Sequence, residues 1–343
     1  MSIAWRDAMS RALYGPDGFF VAGTGPADHF RTSVHASPAF TSALLRLLTD
    51  VDSTLGHPDR LDVIDVGAGR GELLRGLLRS IEGSPGLAER ARLAAVELAP
   101  RPEHLPDQIE WVPEIPAGIN GLLIATEWLD NVPLDVAVHT ADGWRYVLVD
   151  PEIGAETLGE PVSPADLDWL NTWWPHPAIP RSAETPSSDY LRAEIGRSRD
   201  EAWANAVQKI ERGLALAVDY GHLREARPVG GTLTGYRAGR QVPPVPDGTT
   251  DVTAHVAMDS VASAGAAVAR CAYSLVLQRE ALRALGADGG RPPLSMAGTD
   301  PAGYVRALAA ASEVAELTDP VGLGGHWWLR QPVGIPLGPA VAR

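Results

Sequence analysis

The stretch Leu61-Asp-Val-Ile-Asp-Val-Gly-Ala-Gly-Arg-Gly-Glu-Leu-Leu-Arg-Gly-Leu-Leu78 decides the fold of this 343-residue chain. An apolar segment leads into glycines at positions 67, 69 and 71, and leucines at helical spacing follow. The pattern predicts a buried strand, a tight turn and an α-helix. Glycines in such a turn let a ligand approach the backbone without meeting a Cβ atom. The N–H groups that open the helix would face that ligand.

The spacing of the glycines distinguishes between ligands. A dinucleotide turn reads Gly-x-Gly-x-x-Gly and would need a glycine at Glu72, and a Walker loop needs Gly-Lys-Ser/Thr, which the sequence lacks. The observed Gly-x-Gly-x-Gly is typical of S-adenosylmethionine (SAM) methyltransferases, although a plain strand-to-helix turn can read the same way. We therefore expect Gly67, Ala68, Gly69 and Gly71 to bind SAM, and Glu72 to disfavour a nicotinamide oxidoreductase.

A carboxylate ends the next apolar segment, Arg92-Leu-Ala-Ala-Val-Glu97. In a doubly wound sheet this strand lies beside the first, so Glu97 would reach the same crevice and accept hydrogen bonds from both ribose hydroxyls. The alternative is an ordinary solvated acid at a strand end. Glu97 is accordingly predicted to be a cofactor-binding residue.

Strands and helices alternate between residues 61 and 125, which predicts a parallel sheet. After Pro133 two alternating arms flank Asp142-Gly143 and predict a β-hairpin. Strands are expected at 61–66, 92–97, about 109–112, 121–125 and 213–221. Helices are expected at 37–49 with Ser37 as N-cap, 189–212, about 278–286 and 301–314, followed by a terminal hairpin around 322–325. We interpret residues 1–343 as a single domain with an N-terminal arm at 1–36 and an inserted subdomain, a hairpin plus helices, at 134–212.

Composition narrows the class of function. The 29 basic and 43 acidic residues give a net charge of −14, which argues against nucleic acid as a partner. The single cysteine, Cys271, excludes an internal disulfide, and the histidines show no paired metal-ligand spacing, so no metal is expected. Apolar runs fall short of a membrane span, and charge appears early in Met1-Ser-Ile-Ala-Trp-Arg-Asp7. We expect a soluble cytoplasmic protein without membrane contact, and the oligomeric state stays open.

Nine short stretches resemble, in the same order, segments of the MidA-like family of class I SAM-dependent methyltransferases, which includes a mitochondrial protein arginine methyltransferase. Together they run from residue 14 to about 330. The stretches are Tyr14-Gly-Pro-Asp-Gly-Phe-Phe20, Phe30-Arg-Thr-Ser33, Asp65-Val-Gly-Ala-Gly-Arg-Gly71, Thr126-Glu-Trp-Leu-Asp-Asn-Val-Pro133, Val218-Asp-Tyr-Gly-His222, Gly231-Thr-Leu-Thr-Gly-Tyr236, Asp251-Val-Thr-Ala-His-Val256, Gln278-Arg-Glu-Ala-Leu-Arg-Ala-Leu-Gly286 and Asp319-Pro-Val-Gly-Leu-Gly324.

The resemblance implies an α/β fold of the class I methyltransferase (Rossmann-like) type, a mostly parallel seven-stranded sheet with an inserted subdomain. It implies SAM as the cofactor, with Ser33 among its binding residues, and ω-N methylation of an arginine in a protein partner. A subunit of respiratory NADH dehydrogenase is one such partner. The chain departs from the family at Val34 and His35, at Thr126, where Asn is usual, and at Asn131, where Ala is usual. A substrate group would be handled at these positions.

Acids at strand ends supply the expected chemistry. Glu127 and Asp130 follow the fourth strand and Asp219 follows the fifth, and in an open α/β sheet such ends line the ligand crevice. Carboxylates can hold a guanidinium by two hydrogen bonds and take the leaving proton. Asp130 reads equally well as a turn or cap residue, and His222 and His255 read better as loop histidines than as bases. Two other functions stay open: a methyltransferase for a small metabolite, and an assembly factor that binds SAM without turnover.

Overall fold

The computed structural model describes residues 1–22, 33–175, 191–287 and 289–336. Contacts divide the chain into two compact units. The sheet unit comprises Phe30–Glu127, Ala206–Tyr220 and Ala266–Arg343, and the second unit comprises Met1–His29, Trp128–Asn205 and Gly221–Gly265. Residues 23–32 of the predicted N-terminal arm lie outside the described part of the chain. The interpretation as one domain with an insertion at 134–212 stays a prediction.

The helices of the described residues are α1 (Trp5–Tyr14), α2 (Phe19–Ala22), α3 (Ser33–Ala36), α4 (Pro38–Leu55), α5 (Glu72–Ile81), α6 (Pro85–Ala88), α7 (Pro164–Trp173), α8 (Arg197–Gln208), α9 (Met258–Ala269), α10 (Gln278–Ala284), α11 (Met296–Thr299) and α12 (Pro301–Leu317). The strands are β1 (Ile3–Ala4), β2 (Leu61–Val66), β3 (Ala91–Val96), β4 (Ile109–Val112), β5 (Ile119–Thr126), β6 (Asp135–Thr140), β7 (Gly143–Val149), β8 (Glu156–Pro161), β9 (Arg192–Ile195), β10 (Ile210–Asp219), β11 (Gly221–His222), β12 (Thr234–Arg237), β13 (Arg240–Val242), β14 (Asp251–Thr253), β15 (Val256–Ala257), β16 (Ser274–Leu277) and β17 (Trp327–Val333). Short 3-10 turns lie at Leu129–Asn131, Arg224–Ala226 and Leu323–Gly325.

The sheet unit is built on a seven-stranded sheet in the order β16-β17-β10-β5-β2-β3-β4. Neighbouring strands from β4 to β10 are parallel, whereas β17 runs antiparallel to both β10 and β16. Helices cover a parallel sheet on both faces, which explains why every residue of β2 is buried and why its sequence is nearly continuously apolar. The predicted fold class is confirmed.

The register of the sheet brings four strand ends to one level. Val96 of β3 pairs with Val66 of β2, Val66 with Ala125 of β5, and Ala125 with Ala217 of β10. The residues just after this level therefore share the carboxyl edge of the sheet. A hydrophobic core that includes leucines of α4 and α5 packs on the sheet and fixes these ends.

Helix α4 confirms the predicted capping pattern. The Ser37 hydroxyl accepts a hydrogen bond from the Ala39 N–H at 3.0 Å, and Pro38 occupies the first turn. The helix continues to Leu55 and ends at Gly56, whose φ of 79° is left-handed. It is thus longer than the 37–49 segment that the sequence indicated.

Two predicted elements differ from the structure. The helix expected at 189–212 is correct only for α8, residues 189 and 190 lie outside the described residues, and 210–212 begin β10. Residues 192–195 form β9 because they pair with the distant β6, and donors of Thr232 and Leu233 satisfy the buried Glu194 carboxylate. The hairpin expected around 322–325 is a 3-10 turn, and β17 pairs with β16 across three intervening helices. Glycine at 324 is needed because a Cβ atom there would collide with the backbone of Thr318.

The second unit contains a five-stranded sheet, β1-β7-β6-β9 with β8 beside β7, and two small sheets, β11-β15 and β13-β12-β14. Thr140 pairs with Gly143 at the turn between β6 and β7, so the hairpin predicted at Asp142-Gly143 is confirmed. Trp169 of α7 and Trp174 are buried in a hydrophobic cluster that also contains Ala193 and Ile195 of β9. No helix among the described residues is both long and apolar enough to traverse a bilayer.

Candidate active site

The glycine turn joins β2 to α5 at the carboxyl edge of the sheet. Gly67, Gly69 and Gly71 have φ angles of 71°, 58° and 78°, which are left-handed and favour glycine. The N–H groups of Gly67 and Ala68 donate to the Val96 carbonyl at 3.0 and 3.3 Å, and these two bonds tie the turn to β3. The turn is a fixed feature of the sheet edge.

The glycines differ in what surrounds them. A Cβ atom on Gly69 would lie 3.6 Å from the Glu72 carboxylate and meet nothing closer, whereas on Gly71 it would lie 2.7 Å from Leu105 Cδ1. Gly69 thus leaves open space where a ligand can approach the backbone. Gly71 is favoured by its left-handed φ, and a Cβ atom there would force the end of the Leu105 side chain to shift. Its predicted contact with the cofactor stays a prediction.

Glu97 follows β3 and binds the glycine turn directly. Its Oε2 accepts from the Gly69 N–H at 3.0 Å, and its Oε1 accepts from the Leu98 and Ala99 N–H groups at 2.7 and 3.1 Å. Burial raises the pKa of Glu97, and these three N–H groups act in the opposite direction. A carboxylate has about four lone-pair sites, so after these three bonds one site, on Oε2, is left for a ribose hydroxyl.

Asp65 lies in β2, two residues before the first glycine of the turn, and is buried. Burial, together with the negative charges of Glu72 and Glu97, raises the pKa of Asp65 to about 8. The carboxyl group is therefore mostly neutral at pH 7. A neutral carboxyl group can donate a hydrogen bond, which Glu97 cannot do when ionised.

Glu127 follows β5 in a strained conformation. Its φ of 51° is uncommon for a residue with a side chain, and its N–H donates to the Val218 carbonyl at 2.8 Å. Its Oε1 accepts from the Ser33 N–H at 3.1 Å, while Gln278 Nε2 donates to the Ser33 hydroxyl at 3.1 Å. The fully buried Gln278 also accepts from Trp328 Nε1 at 3.1 Å. Ser33 is thus held on both sides and helps to orient Glu127.

Asp219 ends β10, beside Glu127. Val218 pairs in register with Thr126, so Glu127 and Asp219 are the next residues on neighbouring parallel strands. Asp219 is buried, with 1% of its surface exposed. The sheet unit therefore places two of the three predicted catalytic acids next to each other at one edge.

Asp130 belongs to the second unit. It lies in the 3-10 turn Leu129–Asn131, and its Oδ2 accepts from the Thr253 hydroxyl at 2.7 Å. Next to it, Asn131 Nδ2 donates to Asp251 Oδ1 at 2.8 Å. Asp130 and Thr253 form a buried polar pair, in keeping with the alternative that Asp130 has a turn or cap role.

Several residues around these acids were missed by sequence reasoning. Buried Arg199 of α8 donates to the carbonyl oxygens of Asp130, Val132, Ala254 and His255. Gln278 was visible only as the first residue of a predicted helix, and nothing in the sequence distinguishes Arg199 from a surface arginine. Thr126 was noted only as a departure from the family, yet its hydroxyl is buried without a hydrogen-bond partner in the described part of the chain.

His222 of the second unit is a neutral imidazole. Arg227 Nη1 donates to His222 Nδ1 at 2.7 Å. Burial is the main cause, and the positive charge of Arg227 the second, that lowers the pKa of His222 to about 3. A histidine with this pKa is a weak base at neutral pH. His222 is therefore poorly suited to act as a general base, but it lies in β11 and not in a loop as the sequence suggested.

The sheet order, the glycine turn and the acidic strand end define a class I methyltransferase. Residues 44–275 match the family model described as "Putative S-adenosyl-L-methionine-dependent methyltransferase", and the chain belongs to this family. Its cofactor is accordingly SAM. The open position at Gly69 and the remaining acceptor site of Glu97 fit such a ligand. Groups of acids, histidines and cysteines that could hold a metal ion do not occur among the described residues.

Two curated relatives are similar to most of the chain. The protein arginine methyltransferase NDUFAF7 of Xenopus tropicalis mitochondria is 24% identical over 77% of this chain, and that of Danio rerio is 25% identical over 64%. The matched regions span 66% and 58% of these two relatives. A Burkholderia thailandensis protein of the COG1565 superfamily, crystallised with S-adenosyl-homocysteine, superposes with a TM-score of 0.77 at 22% identity, covering 100% of this chain and 91% of that one. At 22% identity, the similarity to the Burkholderia thailandensis protein shows a shared fold and nothing more.

Proposed function

We propose that this chain transfers a methyl group from SAM to the guanidinium of an arginine in a protein partner. Two observations support the arginine acceptor. The curated relatives are named protein arginine methyltransferases. The sheet unit also places two acids, Glu127 and Asp219, at adjacent strand ends, an arrangement suited to a cationic acceptor.

The cofactor side of the site belongs to the turn and to Glu97. Glu97 would accept from one ribose hydroxyl through Oε2, while its existing bonds from the Gly69, Leu98 and Ala99 N–H groups hold the carboxylate in place. Bound SAM supplies an electrophilic methyl group on a sulfonium cation. The open space at Gly69 lets the backbone approach the ligand closely.

The acceptor side must make an arginine nucleophilic. A guanidinium has a pKa near ~13.8 and carries its charge over three nitrogens, so it is a poor nucleophile at pH 7. Glu127 and Asp219 would bind its N–H groups and draw the positive charge away from the attacking nitrogen. As the new N–C bond forms, the nitrogen loses one proton. One of the two carboxylates takes that proton and passes it to water, and the thioether of S-adenosyl-homocysteine is the other product.

The conformation of Glu127 is the observation that carries this proposal. A left-handed glutamate costs about 1–3 kcal/mol and persists only where its surroundings require it. Here the Ser33 N–H and the Val218 carbonyl hold the residue at the strand end. Such strain concentrates at functional sites, and an acid that only terminated a strand would not need it.

The experiment compares wild-type protein with Glu127→Gln. Purified protein is incubated with methyl-labelled SAM and a protein extract from cells that lack the gene, and modified residues are mapped by mass spectrometry. We expect label on arginine with the wild type, and a fall of ~10²-fold or more with the variant, the scale for loss of a positioned acid–base group. Affinity for S-adenosyl-homocysteine should persist, because Glu97 and the turn are unchanged.

Glu156→Gln is the matched control, because Glu156 makes hydrogen bonds to Trp5 and Arg192 in the second unit and its loss should leave transfer intact. Label on a small molecule alone would replace the proposal by a metabolite methyltransferase. Binding of S-adenosyl-homocysteine without any transfer would indicate an assembly factor that holds SAM. Arginine label on a respiratory NADH dehydrogenase subunit would identify the partner that the resemblance suggests.

A further inference from the structure

Thr126 is the last residue of β5 and carries a hydroxyl that the described chain does not satisfy. Its Oγ1 is buried and has no hydrogen-bond partner among the described residues. Two and four residues earlier on the same strand face, Ile124 and Leu122 belong to the hydrophobic core. The row of core side chains thus ends in a polar group at the carboxyl edge. A buried hydroxyl without a partner is unfavourable, so its presence indicates a missing ligand.

The position of Thr126 in the sheet indicates which part of a ligand it meets. Because Val96, Val66 and Ala125 are level in the register, the residues that follow them form one row across β3, β2 and β5. That row reads Glu97, Gly67 and Thr126. Adjacent strands are about 4.8 Å apart, so Glu97 and Thr126 are separated by roughly 10 Å across the glycine turn.

We propose that the Thr126 hydroxyl is a hydrogen-bond partner for the amino-acid end of SAM, an inference that rests on the proposed function. SAM joins an adenosine to an amino-acid group through sulfur by a short chain. A ligand with its ribose at Glu97 that crosses the turn brings this amino-acid end to β5. Its ammonium and carboxylate are both suitable partners for a hydroxyl, which can accept or donate.

The neighbouring residues of the row do not offer this contact. Gly67 has no side chain, and Val218, which pairs with Thr126 on the other side, is apolar and belongs to the core. Glu127 is the next residue along the chain, and its Oε1 already accepts from Ser33. Thr126 is therefore the residue of this row with a neutral polar side chain. It lies between Glu97, which would bind the ribose, and the proposed catalytic acids Glu127 and Asp219.

The test uses Thr126→Val, which keeps the shape and removes the hydroxyl. Titration calorimetry is done with S-adenosyl-homocysteine and with 5′-methylthioadenosine, which shares the adenosine and the thioether but lacks the amino-acid group. We expect the Kd for S-adenosyl-homocysteine to rise about tenfold and the Kd for 5′-methylthioadenosine to stay within twofold. The melting temperature of the ligand-free variant should rise, because a buried unsatisfied hydroxyl is removed. Thr126→Ser keeps the hydroxyl and should keep the wild-type affinity.

Thr250→Val is the matched control. Thr250 is fully buried, and its hydroxyl accepts from Arg237 at 2.7 Å, so this variant should melt lower and bind both ligands normally. Equal losses for the two ligands with Thr126→Val, or no loss for either, would overturn the inference while leaving the proposed function intact. Failure of the wild type to bind S-adenosyl-homocysteine would overturn both.

Discussion

Two carboxyl groups at the glycine turn lie on neighbouring strands in different surroundings. Burial raises the pKa of Glu97, and the three backbone N–H groups that donate to it oppose that shift. Asp65 is buried close to two negative carboxylates, and the pKa of its carboxyl group rises to about 8. Glu97 can therefore accept from one hydroxyl through Oε2, and Asp65 carries little negative charge at neutral pH.

The raised pKa of Asp65 makes folding stability depend on pH. Unfolded Asp65 titrates near 3.8 and folded Asp65 near 8, so between these values the folded state binds one more proton. Stability is therefore highest on the acid side and falls as pH rises, by at most about 1.4 kcal/mol per pH unit from this group. Asp65→Asn should remove this fall, so that between pH 5 and 8 the variant gains stability relative to wild type. Denaturant unfolding at each pH measures it.

Asp52 of α4 serves as the control of opposite sign. Arg90 binds its carboxylate at 2.6 and 2.8 Å and lowers the pKa of Asp52. Its contribution is present above the unfolded pKa and disappears as pH falls, so Asp52→Asn should lose stability near neutral pH. A pH profile of Asp65→Asn parallel to that of the wild type would show that Asp65 is ionised in the folded protein.

The location of a site residue in the fold could be predicted where the residue stands at the end of an apolar strand. Glu97 and Glu127 directly follow apolar strands and Asp219 ends one, so their position at one edge followed from the strand order. The roles of Ser33 and Gln278 were hidden, because they depend on contacts between segments 245 residues apart. The unsatisfied hydroxyl of Thr126 was equally hidden, since a sequence does not show which buried groups lack partners.

Within the glycine turn, Gly69 faces open space that a ligand can enter, whereas Gly71 faces the side chain of Leu105. Gly69→Ala places a Cβ in open space, so it should lose only the cost of a left-handed alanine, about 1–2 kcal/mol, yet it should block close approach of the cofactor. Gly71→Ala carries the same backbone cost and also collides with Leu105, so it should destabilise more. Denaturant unfolding and calorimetry with S-adenosyl-homocysteine measure the two effects separately.

The contact between a Cβ atom at position 71 and the Leu105 side chain can be tested separately. Leu105→Ala in the Gly71→Ala background removes the side chain that the new Cβ meets, so the double variant should lose less stability than the sum of the single losses. Additive losses would mean that the Leu105 side chain moves aside without a loss of folding stability. Unchanged affinity of Gly69→Ala for S-adenosyl-homocysteine would place the cofactor away from this glycine.

Elements were predictable when their signals were local. Strands β2 and β4 and the start of α4 were found with their bounds because buried apolar runs and a Ser-Pro cap are written in consecutive residues. Strand β9 and the β16–β17 pair were missed because each is stabilised by a partner remote in sequence. The burial of Glu194 in β9 depends on donors almost forty residues away, at 232 and 233.

For the whole molecule, net charge is the property that bears on the acceptor. A chain with a net charge of −14 attracts a basic protein segment over distances comparable to the Debye length, about 10 Å at 0.1 M salt and about 3 Å at 1 M. If the acceptor is an arginine-containing segment of a basic partner, its encounter with this chain should weaken as salt rises. A small neutral metabolite would not respond in this way.

We therefore expect the KM for the protein acceptor to rise about tenfold between 0.1 and 1 M sodium chloride, the low end of electrostatic steering effects. The kcat should change little, because the adjacent pair Glu127 and Asp219 acts at short range, where mobile ions screen weakly. Initial rates of label transfer to the mapped acceptor, at saturating SAM, give both constants. The Kd for S-adenosyl-homocysteine at both salt concentrations is the control for damage to the fold. A KM that does not change with salt concentration would mean that the acceptor is recognised by shape or apolar contact and not by the negative charge of this chain.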